Sequence, residues 1–290
     1  MIISNIIGGL GNQMFQFAAG RALALQKDQP LKLDTRGFGQ YKLHQGFQLK
    51  EAFSGAFDIA SESEIRALLG WQRTPRIQRV LSQPALATLR AKNLIVEPHF
   101  NYWNGIHDVP EDCYIKGYWQ SERYFLRYDA HIRADFAFKP SLTDRNRVLA
   151  DEISGQNAVS LHVRRGDYVK NPATLAVHGV CSPGYYQAAV DHIRRHVDNP
   201  VFYVFSDDMH WVRENLTIAA PMHHVDHNNR AYDDMHLTSL CKHHVIANSS
   251  FSWWGAWLNA NPAKIVVAPK QWFVQPRCID DLLSPSWVRL

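Results

Sequence analysis

Two arginines, a histidine and an aspartate stand together in Ser160-Leu161-His162-Val163-Arg164-Arg165-Gly166-Asp167-Tyr168. Adjacent guanidiniums suit an anion, because their planar forks match phosphate oxygens two at a time. The plainer reading of the same residues is an Arg–Asp ion pair that staples a loop. Two more polar clusters follow: Ser206-Asp207-Asp208 and Asn248-Ser249-Ser250-Phe251-Ser252. A serine pair at a helix start also suits phosphates, whereas a carboxylate suits a base or ribose that donates hydrogen bonds. Guanine, with its N1–H and exocyclic amine, is the base that a carboxylate holds in a bidentate pair. The three clusters together point to a guanine nucleoside diphosphate.

Near the N-terminus, Gly8-Gly9-Leu10-Gly11-Asn12-Gln13 lacks the Gly-Lys-Ser/Thr of a Walker loop and places Met14 where the third glycine of GxGxxG would fall. What the turn offers is a backbone that a ligand can approach closely, with the Asn12 amide at a helix start. The alternative is a tight turn in which Asn12 only caps the helix.

These residues need elements to position them, and the sequence supplies strand–helix alternation. Ile2 to Ile7 reads as a strand, Met14 to Leu25 as an apolar-periodic helix, and Leu31-Lys32-Leu33-Asp34 as a second strand. Ser61-Glu62-Ser63-Glu64 is a capping box for a helix that Gly70 closes. In the C-terminal half, Ala158–Leu161, Val201–Phe205, Met222–Val225, His244–Ala247 and Lys264–Ala268 read as strands. Helices are expected over Pro183–Val197, from near Asp208, over Asp233–His243, and after Ser249. Residues 139–157 read as a linker, and 169–182 as a long loop. The expectation is an α/β protein with parallel sheets covered by helices, in two domains, 1–150 and 151–290. Ligands of such sheets bind at the carboxyl ends of the strands, where all three polar clusters fall.

The 290 residues, 46% hydrophobic and 20% charged, describe a folded globular protein rather than a disordered one. The net charge is +4, with 19 bases against 14 acids in residues 1–150 and 12 against 13 in residues 151–290, and the segment between Glu64 and Glu97 has six bases and no acid: Arg66, Arg73, Arg76, Arg79, Arg90 and Lys92. That stretch reads as a solvated face, or as a basic surface for an anionic acceptor or membrane. Residues 99–138 are rich in aromatics (among them Phe100, Tyr102, Trp103, Tyr114, Tyr118, Trp119, Tyr124, Phe125) that read mostly as core, though aromatic faces also serve as sugar platforms. Cys113, Cys181, Cys241 and Cys278 form no CxxC or cluster, which argues against a disulfide framework or zinc site and fits a reducing compartment. The histidines His223, His224, His227, His243 and His244 lack metal-ligand spacing. The charge-free windows are too polar, or too rich in Pro and Gly, for a signal peptide or spanning helix. No nucleic-acid partner is expected.

Taken together, GGLGNQ (8–13), HVRRGDY (162–168), FSDD (205–208) and SSFSWWGAW (249–257) resemble the motifs of bacterial α-1,2-fucosyltransferases, in order and spacing from residue 5 to about 273. The resemblance implies a GT-B-like glycosyltransferase with two facing Rossmann-like domains, the last residues packing back on the first. The donor would be GDP-β-L-fucose, held mainly by the C-terminal domain. A galactose-terminated oligosaccharide or lipid-linked glycan would be the acceptor, and transfer would invert the anomeric centre without cofactor or metal. Carried over, Arg164 would contact the β-phosphate, His162 and Asp207 the guanosine, and Ser249, Ser250 and Phe251 the diphosphate. Asn12, with Gly11 beside it, would line the transfer site. Arg164 and Asn12 are the catalytic candidates. The acceptor proton would go to a phosphate oxygen of the leaving group, or to a carboxylate or His of the N-terminal half. Competing readings are a fucosyltransferase of another linkage and an inactive nucleotide-sugar or glycan-binding protein. The expected location is cytoplasmic, with weak peripheral attachment to the membrane.

Overall fold

The computed structural model describes residues 1–40 and 45–290. The chain divides into two compact units, Met1–Pro140 and Ser141–Leu290.

In the first unit, strands β1 (Ile2–Asn5), β2 (Leu31–Asp34), β3 (Leu94–Val96) and β4 (Cys113–Lys116) form a wholly parallel sheet in the order β2-β1-β4-β3. All four residues of β1 are buried, as a strand covered on both faces requires. The following helix spans Leu10–Gln26 and begins before Met14, because Gly8 (φ +79°) takes the left-handed conformation that turns the chain immediately. A side chain on Gly8 would also meet Asn12 Nδ2 at 2.8 Å. Gly9 therefore holds the N-cap position without a side-chain cap, and Asn12 lies inside the first turn rather than capping it. The helix is buried along most of its length, with Phe17 packed between Phe57 and Phe136 at 4.7 and 5.5 Å. On another part of the sheet, helix Glu62–Leu69 opens with the expected capping box at Ser61 and Glu64. Its Ile65 and Leu69 pack with Ile3, Leu94 and Tyr114. Strands β3 and β4 lie outside the strands read from the sequence, β4 inside the aromatic-rich stretch 99–138.

The second unit holds β5 (Asn157–Val163), β6 (Pro200–Ser206), β7 (Met222–Val225), β8 (His243–Val245), β9 (Val266–Ala268) and β10 (Val288–Arg289), all parallel, in the order β10-β9-β8-β5-β6-β7. Counted from β5, this is the 3-2-1-4-5-6 order of a dinucleotide-binding fold, and the order reverses between β5 and β8. Val159, Leu161, Val204, Val245 and Val267 fill one face with Tyr186, Val190 and Ile193 of helix Pro183–His196.

Two expectations are corrected here. Residues 139–157 are not a linker: Thr143 Oγ1 accepts the Asn146 amide at 3.3 Å and starts helix Asp144–Ser154, whose Ile153 packs with Ala158, Tyr203 and Leu237. The apolar contacts of this helix put it in the second unit. The segment after Tyr168 carries two short helices, Gly166–Lys170 and Pro172–His178, the latter capped by Asn171. At the C-terminus, β10 extends the second sheet beside β9.

Candidate active site

Strands β8, β5 and β6 are neighbours, so the residues that follow Val245, Val163 and Ser206 line one stretch of the carboxyl edge at the reversal in strand order. The two arginines after β5 part company there. Arg165 turns to packing: its guanidinium lies 3.9 Å from the centre of the Trp211 ring, with Nε 3.5 Å from Asp208 Oδ2. Asp208 is itself engaged, since Oδ1 accepts the Trp211 amide at 3.2 Å and caps helix Met209–Asn215.

Arg164 is held for presentation. Its Nη1 pairs with Asp207 Oδ2 at 2.9 Å and its Nη2 with Asp167 Oδ1 at 2.6 Å. The second oxygen of Asp207 accepts the Arg165 amide at 2.8 Å. Gly166 is required at this crossing, because a Cβ would stand 2.5 Å from Asp207 Oδ2. Arg164 Nε remains buried and without a hydrogen-bond partner among the described residues. Buried donors are almost always satisfied, and a donor so placed at a strand end can meet a ligand acceptor.

His162 is a second orphan. It is 5% exposed, its ring lies 5.3 Å from that of Phe251, and its Nδ1 has no partner among the described residues. Burial pulls its pKa down to about 4, against the attraction of Asp207 and with the repulsion of Arg164. The imidazole is therefore neutral at neutral pH, fit to exchange hydrogen bonds with an uncharged ligand group.

Phe251 belongs to helix Ser250–Leu258, whose N-cap is Ser249: Oγ accepts the Phe251 amide at 3.3 Å. The start of this helix, with its partial positive charge, comes to the same edge. Asn248 pins the approach to this helix by donating to the carbonyls of His178 (2.8 Å) and Trp272 (3.2 Å). Tyr168 stacks on His178 at 4.9 Å and reaches the Asn248 carbonyl at 3.3 Å. His162, Arg164, Asp207, Ser249, Ser250 and Phe251 are thus brought to one sheet edge.

In the first unit, Gly11 is buried in the opening turn of the long helix. Asn12 Oδ1 accepts from Gln120 Nε2 at 2.8 Å. Gln13 fastens the turn instead, donating to the Gly8 and Gly46 carbonyls (2.9 and 2.8 Å) and accepting the Gln48 amide (2.9 Å). Asn12 and Gln120 follow β1 and β4, the adjacent central strands of that sheet.

The model of glycosyl transferase family 11 matches residues 103–290. The chain belongs to that family. An α-1,2-colitosyltransferase of Escherichia coli is 35% identical over 100% of this chain and 99% of its own length. Galactoside 2-α-L-fucosyltransferase Sec1 of Mus musculus is 29% identical over 52% of this chain and 48% of its own. The crystal structure of NodZ α-1,6-fucosyltransferase soaked with GDP-fucose superposes with a TM-score of 0.55 at 13% identity, over 89% of this chain and 91% of that one. That last likeness is one of fold, and the fold of this glycosyltransferase is GT-B-like.

One part of the edge was missed in the sequence. Beyond β7, Asn146 donates to Asn228 Oδ1 and Asn228 to Asp234 Oδ1, both at 2.8 Å, while His227 Nε2 meets Asn146 Oδ1 at 2.6 Å. Burial, with Asp233 adding to it, raises the Asp234 carboxyl to about 7 despite the Asn228 bond. The Asp-His-Asn-Asn run after a strand was the available signal. The other histidines of the dense group serve packing: His244 bridges Ser160 and Asn259 (2.7 Å each) and His243 accepts the Ile265 amide at 3.0 Å. Among the described residues no group of three or more His, Cys, Asp or Glu is placed to hold a metal.

Proposed function

We propose that this enzyme transfers L-fucose from GDP-β-L-fucose to the 2-hydroxyl of a terminal galactose, with inversion. The observation that carries the donor assignment is the Arg164 fork, oriented by Asp167 and Asp207, with an orphaned Nε beside the orphaned His162 Nδ1 and the Ser249–Phe251 helix start. In the proposed reaction the acceptor oxygen attacks the anomeric carbon from the face opposite the diphosphate. The sugar–phosphate bond breaks with its electron pair leaving on GDP. Arg164 meets the charge that grows on the β-phosphate, and as a preoriented donor it acts more strongly in the transition state than in the ground state. A phosphate oxygen of the leaving GDP takes the acceptor proton. Asp207 and Asp208 are already occupied by arginines, a backbone amide and a helix cap, so a divalent ion would have to displace those partners. Metal-independent transfer follows as part of the proposal.

Guanine recognition falls to a carboxyl group of this edge. Asp207 was the sequence expectation; its engagement with Arg164 and the Arg165 amide leaves one further acceptor site on each oxygen. Asp234, which has no cation among its partners in the described residues, is the alternative. Asn12 is assigned to the acceptor side.

The relative named for colitose favours one second reading: colitose is fucose without its 3-hydroxyl, so GDP-colitose is an alternative donor for the same site. Incubation with each donor and lactose, with GDP release followed and the product linkage determined by NMR, decides between them. A 2-linked fucosyl product supports the proposal. Faster turnover of GDP-colitose moves the donor assignment, and no GDP release with either donor overturns the reading. No helix among the described residues is long and apolar enough to cross a membrane. A cytoplasmic enzyme acting on a lipid-linked glycan, loosely attached through Arg66, Arg76, Arg79 and Lys92 beside the exposed Trp71, is proposed on charge alone.

A further inference from the structure

The basic stretch between Glu64 and Glu97, which the transfer mechanism leaves unused, meets a lysine of the first sheet. Lys116 ends β4, Asn5 ends β1 and Asp34 ends β2. Ser4 is in register with both Ile115 and Leu33, so the three ends form one row and share a face of the sheet. Tyr114, two residues before Lys116, lies on that face as well and packs with Ile65, Leu69 and Leu81 of helices Glu62–Leu69 and Pro75–Leu81. The carboxylates around this face are committed elsewhere. Asp34 receives Arg36 on both oxygens, at 2.9 and 2.8 Å, and the Tyr114 hydroxyl at 2.7 Å. Glu62 takes Arg36 Nη1 at 2.9 Å, and Glu64 takes Lys32. Glu97, which follows β3, turns its oxygens to the successive amides of Tyr118 at 2.7 Å and the left-handed Trp119 (φ +55°) at 2.9 Å. Lys116, half-buried, and Arg79, exposed beside the buried Gln78, have no hydrogen-bond or ion-pair partner among the described residues. Burial lowers the pKa of the Lys116 ammonium; the Asp34 carboxylate opposes this and the Arg79 charge adds to it. Two neighbouring cations, one of them partly desolvated, are costly without a counter-ion and favour the arrival of an anion.

We propose that Lys116 and Arg79 form an anion subsite for the acceptor, so that the enzyme prefers galactosides carrying an oxyanion, either the carboxylate of an acidic sugar or a phosphate. This rests on the reading that Asn12 lies on the acceptor side. Lys116 leads directly through Gly117 to Gln120, whose Nε2 donates to Asn12 Oδ1, so the subsite stands on the same edge of the sheet as that pair. An ammonium and a guanidinium together give charge-assisted hydrogen bonds to either kind of anion.

The test measures transfer from GDP-fucose to two pairs of acceptors that differ chiefly in charge. Lactobionate against lactitol probes the carboxylate, and lactose 1-phosphate against lactose probes the phosphate. Wild type is expected to favour the anionic member of at least one pair by about tenfold in kcat/KM, mainly through KM, as one charge-assisted hydrogen bond gives. The preference should shrink at high salt, and the pair that shows it identifies the anion. Lys116→Met, which keeps the apolar stem, and Arg79→Gln should each lose most of the preference, whereas Lys116→Arg should keep it. Equal rates within both pairs, or a preference that survives both Lys116→Met and Arg79→Gln, would overturn the inference. If wild type transfers to none of the four acceptors, the functional reading fails. Titration with inorganic pyrophosphate, read on the Lys116 side-chain signals by NMR, then decides alone: saturable movement supports the subsite, and no movement overturns it.

Discussion

The two sheets carry their polar residues at the same place, the carboxyl ends of central parallel strands, and equip it in opposite ways. After β5 and β6 of the second unit the chemistry is ionic: a guanidinium fixed by two carboxylates, with nitrogens of Arg164 and His162 that have no partner among the described residues. After β1 and β4 of the first unit it is neutral: two carboxamides hydrogen-bonded to each other, Asn12 and Gln120, behind one buried carboxyl group. A diphosphate calls for the first arrangement, since planar charged forks give bidentate bonds to its oxygens. A sugar hydroxyl calls for the second, because an uncharged amide orients it without holding it as an ion. The fold repeats and the charge does not.

The largest effect should come from the ionic edge. Arg164→Ala is expected to lower kcat by about a hundred- to a thousand-fold, the usual result of losing one preoriented donor at a developing oxyanion. Arg164→Lys should also be poor, because an ammonium cannot span Asp167, Asp207 and a phosphate as the fork does. Both can be read from GDP release. Next come the carboxyl groups: Asp207→Asn and Asp234→Asn, each titrated with GDP and ADP. Whichever holds guanine should lose the preference for GDP, by about tenfold for one charge-assisted hydrogen bond lost. The other should change catalysis or stability while the base preference remains.

A smaller effect probes the neutral edge. The Glu97 pKa is raised in the folded protein from an ordinary 4.5 to about 7. Between those values the folded state holds a proton that the unfolded chain has released, so this group makes stability fall as pH rises across that window. Glu97→Gln should remove that part of the slope in thermal melts from pH 4.5 to 7. A melting-temperature difference from wild type that is constant over that window would exclude the raised ionisation. The smallest effect concerns the basic segment. Arg73 and Arg90 donate to carbonyls within it, whereas Arg76, Arg79 and Lys92 are exposed. Changing these three to Glu should reduce co-sedimentation with anionic vesicles at low salt only, while transfer to lactose stays unchanged. Equal sedimentation of both proteins would leave a plain solvated surface.

The ionic edge was largely legible in the sequence, because each of its clusters follows a strand whose apolar run announces itself. The strand and helix series from Ala158 to Ala268 is the clearest case. The role of Asp207 was not legible, since nothing in Phe205-Ser206-Asp207-Asp208 says that Arg164 will occupy one of its oxygens. The neutral edge was harder. Asn12 could be named from its turn, but Gln120 and Glu97 follow strands that were not read from the sequence, and the left-handed Trp119 between them has no sequence signature. Helix Asp144–Ser154 was missed because its polar surface hides a short apolar face that only Phe205, Tyr203 and Leu237 explain.

The central claim is that the ionic edge binds a guanine nucleoside diphosphate through Arg164. Calorimetric titration of GDP into wild type and Arg164→Ala, both in excess EDTA, tests it directly. Saturable binding of GDP by wild type, with ADP much weaker and Arg164→Ala losing most of the affinity, is the expected result. Equal GDP binding by the two proteins, or binding that appears only when magnesium or manganese is restored, would contradict the account.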